Sequence, residues 1–215
     1  MSDLKSHWEI IYGSKSESDL SWHREHLETS LEMIRIAAGG DKSAKVIDVG
    51  GGTSRLIDDL LGENFTNLTL LDISGKALSK VRERIGEKAN RVQFIESDIL
   101  NVRLPAEYFD IWHDRAVFHF LTDSDEQKKY VEAVRHSLKP GGKVIIATFG
   151  PDGPQKCSGR EVCRYDANGL RAVFGKDFDL VDSTREIHLT PWGAQQEFTY
   201  CMCGFYPLAD FRRAA

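Results

Sequence analysis

No apolar run in this chain of 215 residues is long enough to span a bilayer, and Met1-Ser2-Asp3 opens a polar segment without the pattern of a signal peptide. The expectation is a cytoplasmic protein with no membrane partner. A basic excess is also missing: 28 Lys and Arg stand against 33 Asp and Glu, a net charge of −5, which makes DNA or RNA a poor partner. Cysteine is absent from the first two thirds, and the four that follow (Cys157, Cys163, Cys201, Cys203) contain no C-x-x-C pair. That spacing excludes a zinc knuckle or a thioredoxin-type redox site, and no metal is expected. No G-x-x-x-x-G-K-[ST] loop occurs, which argues against a nucleotide triphosphatase.

What is present is ordinary in bulk, 41% hydrophobic and 28% charged, and the length fits one α/β domain with a modest appendage. The stretch Val46-Ile47-Asp48-Val49-Gly50-Gly51-Gly52-Thr53-Ser54 organises the rest. An apolar run meets a helical pattern (Leu56, Ile57, Leu60, Leu61) through a glycine triplet, the pattern of a strand, a tight turn and a helix N-terminus. Without Cβ atoms, such a turn leaves backbone N–H groups open to a small polar ligand. A dinucleotide fingerprint needs a third glycine where Arg55 stands, so a nicotinamide oxidoreductase is the weakest reading.

From Lys45 onward apolar runs and helical patterns alternate. Leu68 to Asp72 reads as a second strand, with Ser74 as N-cap of a helix carrying Leu78, Val81 and Ile85. Asp72 lies 20 residues after Gly52, and a carboxylate there accepts both ribose hydroxyls of an adenosine. Val92 to Ile99 forms a third strand that ends in Asp98 and Ile99. Phe109 to His113 forms a fourth, which runs into Asp114-Arg115-Ala116-Val117-Phe118-His119. Ligands of a doubly wound sheet meet the carboxyl ends of its strands, so His113, Asp114 and Arg115 are expected at a reaction centre. Ser124-x-x-Gln127 predicts a capping box, and Leu138-Lys139-Pro140-Gly141-Gly142 a helix stop before a fifth strand from Lys143 to Phe149. Tyr165-Asp166 opens a short helix, and the runs Phe178 to Val181 and Phe198 to Cys203 can pair antiparallel.

Taken together, D-x-G-x-G at Asp48, H-D-R-A at His113 and L-K-P-G-G at Leu138 resemble the class I S-adenosylmethionine-dependent methyltransferases of small bacterial type. A W-x-x-x-Y at Trp8 and Tyr12, followed by Trp22, resembles the aromatic cover of the same family. The resemblance spans about residues 8 to 205 and departs mildly at Ser54, where the family often has glycine. It implies a doubly wound, mostly parallel seven-stranded sheet with an antiparallel last strand. It also implies an N-terminal helical lid over residues 1–40 and a methyltransferase domain over 41–215.

The implied cofactor is S-adenosyl-L-methionine. The resemblance would place its methionine part at Asp48, Gly50, Gly51, Gly52 and Ser54, its ribose at Asp72 and Ile73, and its adenine at Asp98 and Ile99. Trp22 and Asp114 would complete the cofactor site. An acid at each of three strand ends suits a ligand that bears a sulfonium and an ammonium.

The acceptor wall is expected from Tyr12, Trp22, Arg115, Phe118, His119, Cys157 and Trp192. Methyl transfer is an in-line displacement, so positioning carries most of it, and a base is needed only for a protonated nucleophile. His113, Asp114 and His119 are the candidates. Cys157, with Cys201 and Cys203, would also suit a soft metalloid such as trivalent arsenic. The reading is transfer to N, O or S of a small molecule. The alternatives are a protein side chain such as lysine, or a cofactor-binding module without turnover.

Overall fold

The computed structural model describes residues 3–207, so the Met1-Ser2 opening and the end of the expected 41–215 domain lie outside the described residues. Nine strands are found among them: β1 Lys45–Val49, β2 Asn67–Asp72, β3 Val92–Glu96, β4 Phe109–Arg115, β5 Leu138–Phe149, β6 Lys156–Cys157, β7 Arg160–Glu161, β8 Phe178–Leu189 and β9 Gln195–Phe205. Six α-helices accompany them: α1 Asp3–Ser14, α2 Glu28–Ala38, α3 Leu56–Gly62, α4 Gly75–Ile85, α5 Ser124–Ser137 and α6 Ala167–Phe174. Seven strands form one sheet in the order β3-β2-β1-β4-β5-β9-β8, while β6 and β7 make a separate two-stranded ribbon. The first five strands of the sheet run parallel; β9 runs antiparallel to β5 on one side and to β8 on the other. This is the predicted class I architecture, and the strand order reverses between β1 and β4, where open α/β sheets hold ligands.

Both faces of the central strands are covered, which is why those strands read as continuous apolar runs. Alternate residues go to opposite faces: Val46, Leu68, Leu70, Ile111 and Ile145 pack with Leu31 and Ile34 of α2 and with Leu60 of α3. Ile47, Leu71, Trp112, Val144 and Ile146 pack with Tyr130, Val131 and Val134 of α5 and with Leu170 of α6. Helix α2 therefore forms part of the sheet's cover. Helix α1 instead packs against α4 and joins a smaller cluster of Trp8, Tyr12, Leu20, Trp22 and Ala77.

Two local expectations change. The cap of α5 is Asp123, whose carboxylate accepts from the N–H groups of Asp125 and Glu126, so the cap sits one residue ahead of the predicted Ser124 box. Gln127 instead donates to the Leu121 carbonyl and the Tyr165 hydroxyl. The Leu138-to-Gly142 stretch is the irregular start of β5, pairing Leu138 with Phe109 before the register shifts to Ile111 opposite Lys143. Ser74 caps α4 as expected, accepting from Ala77, and α6 starts where expected, with Asp166 as its cap accepting from Gly169.

Candidate functional site

Above the carboxyl ends of β1 to β4 lies a cavity of about 450 Å³, within the usual size for small-molecule sites. Its floor is the glycine turn. Gly50 and Gly52 have φ of 64° and 56°, a region that L side chains rarely adopt. A Cβ at Gly50 would collide with Val117, one at Gly51 with the Asp48 carboxylate, and one at Gly52 with the Tyr12 hydroxyl. The triplet is bare because three neighbours already press on it.

The strand-end acids differ in what they hold. Asp48 Oδ1 lies 2.7 Å from His113 Nδ1, whereas its buried Oδ2 has no partner. Asp72 is buried; its two oxygens accept from the N–H groups of Gly52 and Ser74, both at 2.8 Å. Burial, only partly offset by those donors, raises its pKa to about 6. Asp98 accepts from the Leu100 N–H at 2.9 Å and the Asn101 amide at 3.1 Å. All three acids line the cavity with Gly50, Gly51, Ser54, Ile73 and Ile99, while the Gly52 N–H is turned to Asp72.

The S-adenosylmethionine read from the sequence fits this donor set. An orphaned buried carboxylate oxygen at Asp48 suits an ammonium, and each oxygen of Asp72 and Asp98 retains a lone pair beyond its single protein donor. The glycine backbone leaves room for close approach.

Aromatic rings enclose the opposite side. Trp8 meets Tyr12, Trp22 and Phe120 at ring-centroid distances of 6.0, 5.8 and 5.4 Å, and all four rings line the cavity. Burial, reinforced by Asp72, holds the Tyr12 phenol well above its ordinary pKa, so its hydroxyl stays protonated.

The segment after β4 divides. His113 and Arg115 line the cavity, but both imidazole nitrogens of His113 are engaged, Nδ1 with Asp48 and Nε2 with Ser30 Oγ at 2.9 Å. Asp114, expected at the cofactor and as a base, faces the other way into the core. It accepts from the N–H groups of Val117 and Phe118 and from the Tyr130 hydroxyl. Burial raises its pKa to about 6 against those donors. Phe118, expected in the acceptor wall, packs among Tyr130, Tyr165 and Phe174.

His119, expected in that wall and as a base, is fully buried between Phe120 and Phe149, and desolvation followed by the Arg115 charge lowers its pKa to about 3. Neither Phe118 nor His119 lines the cavity. Trp192, the last expected wall residue, lies 64% exposed in the β8–β9 connection and does not line it either.

Cys157 lines the cavity, but burial raises its thiol to about 11, and Cys201 and Cys203 pack on the opposite face of the sheet. The thiols do not converge, which removes the metalloid reading.

Sequence reasoning missed Arg24, Ser97, Arg160 and Phe198 on the cavity wall and Ser30 behind His113. For Ser30 a signal existed: a lone serine on the apolar stripe Leu27, Leu31, Ile34 faces the interior and needs a polar partner. Nothing local distinguishes Arg24 or Arg160 from other surface arginines.

Comparison with known proteins bears on the same region. Residues 46–142 match the model of a methyltransferase domain. Among curated relatives, malonyl-[acyl-carrier protein] O-methyltransferase of Halalkalibacterium halodurans is 32% identical over 117 residues, 52% of this chain and 41% of that protein. The eEF1A lysine and N-terminal methyltransferase homolog of Drosophila melanogaster is 22% identical over 145 residues, 65% of this chain and 21% of that protein. The chain thus spans less than half the length of both. Among solved structures, Burkholderia thailandensis 1,6-didemethyltoxoflavin-N1-methyltransferase, with its substrate and S-adenosylhomocysteine bound, superposes with a TM-score of 0.67. It is 20% identical, with 96% of this chain and 87% of that one covered, a likeness of fold.

Proposed function

We propose that this chain, which carries a class I, S-adenosylmethionine-dependent methyltransferase domain, transfers the methyl group in line onto a nucleophilic N, O or S atom of a small-molecule acceptor. The observation that carries the reading is the cavity that joins the Asp48, Asp72 and Asp98 strand ends to the Trp8, Tyr12, Trp22 and Phe120 rings. When bound, the cofactor supplies a methyl carbon on a positively charged sulfur.

The chain's own part is placement. Asp48, fixed by His113, offers its free oxygen to the ammonium; Asp72 and Asp98 hold the two ends of the adenosine. The aromatic wall keeps water from the methyl carbon, and holding the three reacting atoms in line supplies roughly 7–11 kcal/mol of barrier reduction. None of the three base candidates is free for proton transfer. His113 uses both nitrogens, while Asp114 and His119 face the core. An acceptor that reaches the site with its lone pair already available needs none of the three.

A second reading, methylation of a protein side chain, draws support from relatives such as the Danio rerio EEF1A lysine methyltransferase 2, 26% identical over 146 residues. The test is calorimetric titration with S-adenosylhomocysteine, followed by a cofactor-consumption screen of small acceptors against lysine peptides. No binding at millimolar ligand overturns the methyltransferase reading, and turnover on peptides alone overturns the small-molecule acceptor.

A further inference from the structure

The cavity is divided by charge. Asp48, Asp72 and Asp98 stand at the strand ends, while Arg24, Arg115 and Arg160 line the same space. Arg115, the last residue of β4, is set apart from the other two by burial and by how it is held. Its side chain is only 6% exposed, whereas Arg24 and Arg160 are 32% and 37% exposed. Nε donates to the Tyr200 hydroxyl at 2.9 Å, Nη1 lies 3.5 Å from the Trp22 carbonyl, and the guanidinium sits 4.3 Å from the Phe198 ring centre. These contacts fix the plane of the fork.

Its remaining nitrogen, Nη2, is buried and makes no hydrogen bond among the described residues. The nearest acid, Glu186, stands 3.8 Å away and is also 3.0 Å from Arg24, so one carboxylate serves two guanidiniums. A buried cation with incomplete pairing is costly, and a fold that retains one beside a cavity has a place for an anion.

We propose that Arg115 binds a carboxylate carried by the acceptor, so that the molecule methylated here is a small organic acid. This rests on the methyltransferase reading only in calling the ligand the acceptor. A carboxylate is favoured over a phosphate because Arg115, the one buried guanidinium of the three, is half-neutralised and balances a single negative charge, whereas Arg24 and Arg160 are exposed and stand beside Glu186 and Asp3. A dianion would bring a second negative charge into a cavity that Asp48, Asp72 and Asp98 already line. Tyr200 links this end to the cofactor end. Its hydroxyl lies 3.4 Å from Ser30 Oγ, which contacts His113, which contacts Asp48.

The probes are benzoate, phenylacetate and succinate, their primary amides, and phenyl phosphate, each titrated into the protein saturated with S-adenosylhomocysteine and into the ligand-free protein. At least one acid should bind about tenfold or more tightly than its amide, the lower end for a hydrogen bond to a charge. Arg115→Gln should erase that preference while S-adenosylhomocysteine affinity stays within about twofold. Should Arg115→Gln not fold, Arg115→Lys, which keeps the charge but not the fork, should lower the preference in part.

Equal binding of acids and amides, an acid preference that survives Arg115→Gln, or tighter binding of phenyl phosphate would each overturn the proposal. Failure of S-adenosylhomocysteine to bind would overturn the methyltransferase reading instead, and the acid-to-amide ratio in the ligand-free protein would still decide the role of Arg115.

Discussion

The ends of β1 to β3 and the turn after β4 carry the same kinds of residue and use them in opposite ways. At Asp48 a buried carboxylate oxygen has no partner, and Asp72 and Asp98 accept one hydrogen bond per oxygen beside the cavity. At Asp114 the carboxylate collects two backbone N–H groups and a phenol inside the core, and His119 lies between two phenylalanines. A polar residue near a strand end is thus a binding group where hydrogen-bonding capacity is left over at a cavity. It is a structural group where, as at Asp114, the chain itself fills that capacity, or where, as at His119, it is packed away from the cavity.

The largest effect that would break this contrast is at Asp114. Asp114→Ala leaves three donors unsatisfied in the core and should cost on the order of 3 kcal/mol in urea unfolding. The fraction that folds should keep its affinity for S-adenosylhomocysteine, and a loss of affinity without a loss of stability would put Asp114 back in the cofactor site. Asp72→Ala should weaken S-adenosylhomocysteine by about 1.5–3 kcal/mol on calorimetry, the value of a charge-assisted hydrogen bond. Unchanged binding would show that Asp72 belongs with Asp114.

Acid–base behaviour sharpens the comparison. Burial raises Asp72 to about 6 in the ligand-free protein, so its contribution to stability is full below its ordinary value of 3.8 and is lost as pH rises through about 6. Ribose hydroxyls donating to the ionised form reverse that preference. S-adenosylhomocysteine should therefore bind more tightly as pH climbs from about 5 to about 7, and Asp72→Asn should flatten the curve.

His119→Leu removes an imidazole that is neutral throughout this range and should change stability by no more than about 1 kcal/mol, with the pH–rate profile unmoved. A shifted profile would make it a proton carrier. Trp192→Ala, at an exposed turn, should stay within about 0.5 kcal/mol in stability and leave ligand affinity as it was.

The parts of the fold readable in the sequence are those with strong local causes. Strands buried on both faces, at Val46, Leu68 and Ile145, stand out as apolar runs, and the Gly50 to Gly52 turn is legible because few other residues fit there. Strand β8 is not legible beyond Val181: Asp182-Ser183-Thr184-Arg185 runs along the sheet's edge, exposed and polar, and only pairing with β9 makes it a strand. At the site, Asp48, Asp72 and Asp98 were marked by position after an apolar run. Asp114 follows strand alternation onto the Trp112 side, opposite the cavity-lining His113 and Arg115, whereas the orientation of His119 was not marked, because the chain turns at Ala116 with a φ of 72° and alternation ends there. Trp192 looked like a wall residue because aromatics so often are; the reach of the hairpin that carries it away is a tertiary fact.

The placement of β9 has a consequence for how the protein is made. β9 is laid down last of all the described strands, yet it lies inside the sheet, paired with β8 along its whole length and with β5 from Phe198 to Gly204. Until residues 195–205 leave the ribosome, β5 presents an open edge of unpaired peptide groups and β8 has no neighbour at all. The nascent chain is at its stickiest just before those residues emerge, and a product that stops short of Gln195 is left with that edge bare and open to other chains.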